Sequence, residues 1–179
     1  MSAAEEEALA VDVALAWQHL KEEWRVEKVR LKRFKLHRIR PSHLREKRDG
    51  LRPIEDIDGL SASDGYAQAM HIGDIIRIMI DKSVDYEKRL KEADWCIRMC
   101  DELARDSVEY VTKTKPALIE RALDVNTGRV TGEGRSILPL LDHCEACEAV
   151  DDLTEAVIRF RRFLVKTHPR GMSSHPWET

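Results

Sequence analysis

At 179 residues the chain is long enough for one domain with a real hydrophobic core and too short for two enzyme-sized domains. Charged residues make up 35% and aromatics 6%, glycine is sparse and Asn126 is the only asparagine, so the turn chemistry that an all-β fold needs is largely missing. The net charge of −3 conceals a segregation into net −5 over residues 1–24, net +9 over residues 25–52 and net −7 over the remainder, a pattern that speaks of partners rather than of fold.

No window approaches the run of roughly 18 apolar residues that a membrane span requires. The start, MSAAEEEALAV, is acidic where a secretory or mitochondrial leader would be basic. Four cysteines are too few for a disulfide scaffold in a chain of this size. These features describe a soluble, intracellular protein, or a component of a macromolecular assembly, with reduced thiols and no membrane partner.

In chain order, Ser2 and Glu5 read as a capping box, after which Val13, Trp17, Leu20, Trp24, Leu31 and Phe34 recur at helical spacing. This predicts a long amphipathic helix within residues 1–40, its far half strongly basic, ended by Pro41. Residues 41–62, with Gly50, Pro53 and Gly59, form a connector. A helical body follows over 63–167. Ile72, Ile75, Ile76, Met79 and Ile80 make one dense stripe of a core helix, and past Ser83 a heptad-like run follows through Tyr86, Leu90, Ala93, Ile97, Cys100, Ala104 and Val111, either continuous with that helix or separate from it. Pro116 starts a short helix, PALIERALDV, closed at residues 126–128. Ser136 opens another, carrying Leu140, Leu141, Cys144 and Cys147. Asp152 and Glu155 cap the last, striped by Leu153, Val157, Phe160 and Leu164, and residues 168–179 form a tail. The fold class is therefore all-α, a long N-terminal helix with a helical-bundle or coiled-coil-like body.

Four features carry candidate chemistry. Lys28, Arg30, Lys32, Arg33, Lys35, Arg38 and Arg40 crowd into thirteen residues, a block that suits the phosphates of nucleic acid or the surface of an acidic protein. Cys96 and Cys100, and His143, Cys144 and Cys147, have the spacing of zinc ligands on helix faces, of two cross-helix disulfides, and of small buried hydrophobes. Glu145, Glu148, Asp151 and Asp152, with Glu102 and Asp106, offer paired carboxylates of the kind that bind magnesium in helical nucleotide hydrolases, and equally read as caps and solvent-facing groups. Finally, Ile119, Ala122, Leu123, Val125 and Val130 are spaced around a tight turn, and this segment resembles a helix-turn-helix. The resemblance implies that Arg129, Thr131 and Arg135 face base edges. Glu120, Asp124, Gly132 and Gly134 depart from that pattern, and the same residues make a short core helix followed by a loop.

No phosphate-cradling glycine loop, nucleophile elbow or His-Glu-x-x-His motif occurs. The sequence thus points to a non-enzymatic structural or assembly component of a larger complex, without metal or cofactor. Trp17, Leu20 and Trp24 are its expected protein-docking face, for a partner or a second copy, and the basic segment is its expected contact with nucleic acid. A helix-turn-helix DNA-binding protein is the alternative reading, and a metal-dependent nucleotide hydrolase the remote one.

Overall fold

The structure, a computed structural model, describes residues 2–38, 57, 59–123, 131 and 134–168. The described residues form five α-helices: α1 (Ser2–Lys32), α2 (Ala62–Met79), α3 (Tyr86–Glu109), α4 (Lys115–Ala122) and α5 (Ala146–Lys166). A π-helical turn (Tyr110–Thr114) joins α3 to α4, and a 3₁₀ turn (Leu138–Leu141) precedes α5. The chain is all-α.

Local chemistry explains most of the boundaries. Ser61 caps α2 by accepting a hydrogen bond from the Asp64 amide at 3.0 Å. The α2–α3 turn is held by Asp81, whose carboxylate accepts from the Ser83 amide and hydroxyl at 2.9 and 2.7 Å. The two apolar stripes therefore lie on two separate helices. At the end of α1 the Leu36 amide reaches back to the Leu31 carbonyl and the Lys35 amide to the Lys32 carbonyl, each at 3.0 Å, which is a Schellman closure. Lys35 occupies its left-handed position, with φ of 57°. Hence α1 stops well before Pro41, which lies outside the described residues together with most of the expected connector and all of the tail beyond His168.

Four of the helices form an up-down-up-down bundle. Trp17 meets Ala69 and Gly73 while Trp24 meets Gly65, so α1 and α2 run antiparallel. Tyr86 bonds the Leu164 carbonyl and Arg161 bonds Asp94, so α3 and α5 do too. α1 and α3 each border α2 and α5 and face one another across the core. Close approach of α1 to α2 depends on glycine: a Cβ on Gly65 would sit 2.5 Å from the Trp24 ring, and one on Gly73 would clash with the Trp17 ring.

The expected docking face is consequently internal. Leu20 and Trp24 are fully buried, and the Trp17 indole N–H donates to the Ala69 carbonyl at 2.7 Å. At about 1.5–3 kcal/mol for each fully buried large apolar side chain, these residues stabilise the bundle itself. The N-terminal helix is one of its four walls rather than an element set apart from the body. Two further boundaries differ. Residues 138–141 make only a 3₁₀ turn, and α5 begins at Ala146, so Asp152 lies inside the helix rather than capping it.

Candidate functional site

The inward positions of α1 alternate in steps of four and three, and one of them is an acid. Glu27 is fully buried. Its carboxylate accepts from the Tyr110 hydroxyl, pairs with Lys115 Nζ at 3.0 Å and with Arg30 Nη1 at 3.4 Å. Lys115 also donates to the Asp142 carbonyl at 2.8 Å. Arg30 reaches the His143 carbonyl at 3.4 Å and the Asp142 carboxylate at 3.7 Å.

The wide π-helical turn lets this network form. An α-helical path would place residues 110 and 115 on different faces, whereas the Lys115 amide here bonds the Tyr110 carbonyl and both side chains meet Glu27. Pro116 follows in the first turn of α4, where its missing N–H is harmless. Burial, and then the Glu27 charge, holds the Tyr110 phenol far above its usual range. The same two causes push the Cys144 thiol up to about 12. The network clamps α1, the end of α3 and the segment before α5 into one unit.

A second clamp lies at the other end of the bundle. Arg89 is buried, pairs with Glu6 at 3.0 Å and donates to the Met79 carbonyl at 2.9 Å, with its guanidinium over the Phe160 ring. Both clamps cross the core from α1 to α3. Residue type alone hid them, since a polar side chain breaks an apolar stripe; the spacing Val13, Trp17, Leu20, Trp24, Glu27, Leu31 and the parallel Arg89, Ala93, Cys96, Cys100, Leu103, Ser107, Tyr110 were the available signals.

The predicted basic residues divide. Arg30 belongs to the inner network, and Lys28 lies over the Tyr66 ring on α2 at 5.1 Å. Lys32, Arg33, Lys35 and Arg38 are exposed, and among the described residues none pairs with a carboxylate; Arg40 lies outside those residues. Arg135 joins this end of the bundle by donating to the Arg33 carbonyl at 2.5 Å. The 3₁₀ turn packs beside α1 and exposes Leu138 and Leu141, and Val29 on α1 is exposed as well. His37 sits among these cations with Nδ1 buried, and burial followed by the Arg38, Lys28 and Lys32 charges lowers its pKa.

Other expected constellations are not assembled among the described residues. Cys96, Cys100, Cys144 and Cys147 are free thiols, and no cysteine belongs to a group of side chains able to share one ion. Glu145, Glu148, Asp151 and Asp152 are exposed on or just before α5, while Asp106 lines a cleft with Asp64, Gln68 and Glu109 on the α2 side of α3. The helix-turn-helix does not form as expected: Thr131 and Gly134–Ile137 are non-helical where the recognition helix would run, and Gly134 has φ of 82°. Arg129 lies outside the described residues.

No helix of the described residues is long and apolar enough to cross a membrane. No protein family, curated protein or solved structure matches this chain.

Proposed function

We propose that this protein is a non-enzymatic structural or assembly component of a larger complex, attached to a polyanionic partner, nucleic acid included, through the basic end of α1. The observation that carries the reading is the exposed run Lys32, Arg33, Lys35 and Arg38 on a helix end fixed by the Glu27 network. Lys35 strengthens it. A left-handed closing position favours glycine, and a lysine there is strained by about 1 kcal/mol, so a cation is present at a site where stability alone would select against it. Exposed Val29, Leu138 and Leu141 at the same end add apolar area to the surface. Four free thiols, three of them buried, fit an intracellular setting.

The test is binding of random duplex and single-stranded nucleic acid by fluorescence anisotropy at several salt concentrations. Four neutralised phosphates give a log–log salt slope of about −3.6, or a roughly 100-fold loss of affinity between about 50 and 200 mM. The variant carrying alanine at Lys32, Arg33, Lys35 and Arg38 is expected to flatten that slope. No binding to nucleic acid, together with salt-sensitive capture of an acidic protein that the same variant loses, would transfer the site to a protein partner. A variant that binds both as the native chain does would remove the proposal.

A further inference from the structure

His19 and Glu23 lie one turn apart on α1 and converge on Glu145, the N-cap position just before α5. His19 Nε2 is 3.5 Å from Glu145 Oε2 and 3.8 Å from Glu23 Oε2, and one ligating atom from each residue fits within a 4.8 Å group. Tetrahedral zinc, with bonds of about 2.0–2.2 Å to nitrogen and oxygen, places neighbouring ligand atoms about 3.3–3.6 Å apart. The two histidine–carboxylate separations lie within a few tenths of an ångström of that spacing. We infer that His19, Glu23 and Glu145 form a zinc-binding site across the seam between α1 and α5, with the remaining coordination position open to water.

Three features support the assignment. The Glu145 amide donates to Glu23 Oε1 at 2.9 Å, which orients that carboxylate and leaves its other oxygen toward His19. Such outer-shell hydrogen bonds are the usual means of fixing a metal-ligating side chain. His19 and Glu23 come from one helix face and Glu145 from the cap of another, so little ordering accompanies binding. Charge decides the last objection. The start of α5 carries about half a positive charge, which opposes a cation there, but two carboxylates outweigh it and neutralise a divalent ion. A zinc ion at this site ties α1 to α5 midway along α1, between the two internal clamps.

The site is tested by isothermal titration of the chelator-stripped full chain with zinc alone, alongside NMR of the histidine ring signals. One equivalent is expected to bind, with His19 the ring most shifted. His19→Ala and Glu145→Ala are each expected to weaken binding at least as much as loss of an outer-shell partner, about 10–100-fold. Cys147→Ser is expected to leave affinity unchanged. His19 is half exposed on a helix face, so its alanine variant keeps the fold, which far-UV circular dichroism verifies. Zinc binding absent from the native chain, or equally tight in His19→Ala, overturns the site. Loss of binding in Cys147→Ser alone does the same, by assigning the metal to a thiol.

Discussion

Removing Glu27 from its network is expected to be among the most destabilising single changes in the protein. The Lys115 ammonium and the Glu27 carboxylate are 3.0 Å apart with both side chains almost wholly buried. At an effective dielectric of about 20 their gross attraction is about 5–6 kcal/mol. Glu27→Leu leaves Lys115 charged and buried, still bonded to the Asp142 carbonyl but without its counter-ion, and strands the Tyr110 hydroxyl. Breaking one partner of a buried pair costs about 3–5 kcal/mol, which for a chain of this length lowers Tm by roughly 6–20 °C. Replacing both partners, as in Glu27→Leu with Lys115→Met, removes the stranded charge and is expected to recover most of the loss. Urea unfolding of the native chain, both single variants and the double variant measures this, with m-values checked for constancy. A single-variant loss below about 1 kcal/mol, or a double variant no more stable than the worse single, would refute the reasoning.

Gly65→Ala is expected to destabilise by about 1–3 kcal/mol in the same assay, because the added methyl meets the fully buried Trp24 ring, and Trp24→Leu in the same chain should reduce that penalty. Lys35→Gly should raise stability by up to about 1 kcal/mol while weakening binding to polyanions, which separates the strain from the function it serves. Burial, and then the Glu109 and Glu102 charges, raises the Asp106 pKa, so the folded state holds this proton more tightly than the unfolded state does. Its contribution is therefore largest at low pH and is lost as pH rises from the unfolded pKa through the folded one. Asp106→Asn is expected to raise stability at pH 7 by a few tenths of a kcal/mol after solvent screening, and to flatten the dependence across the acidic range. In the native fold Cys147 should react first with a thiol reagent, since Cys96, Cys100 and Cys144 are buried, and denaturant should expose all four together.

The long first helix, the α2 stripe and the short helix after Pro116 were legible because apolar residues recur there at helical spacing. The α3 face was legible in part: Ala93 and Cys100 of the expected stripe are fully buried, and its other members pack against the core only partly buried. Its buried line also takes in Arg89, Ser107 and Tyr110, because charged and hydroxyl groups hold inward positions when they are satisfied there, Arg89 and Tyr110 by Glu6 and Glu27 across the core and Ser107 by the Leu103 carbonyl of its own helix. Glu27 escaped for the same reason. An acid inside a basic run reads as a solvent-facing relief of charge until Tyr110 and Lys115, more than eighty residues away, are seen to meet it. Trp17, Leu20 and Trp24 were correctly read as a buried-type face, but sequence periodicity does not distinguish a face covered by the chain's own helices from one awaiting a partner. The exposed basic run was legible in full as a charge pattern. Its division into engaged Lys28 and Arg30 and exposed Lys32, Arg33, Lys35 and Arg38 required the register of α1 and its closure at Lys35.

The most direct test of the central claim, that the basic end of α1 is the docking surface, is an amide chemical-shift titration of the isotopically labelled full chain with a short random duplex at low salt. Shifts are expected to concentrate on residues 29–38 and 134–141 and to vanish as salt is raised. Shifts centred instead on the opposite end of the bundle, around Glu6 and Arg89, or no shifts with any polyanion, would contradict it.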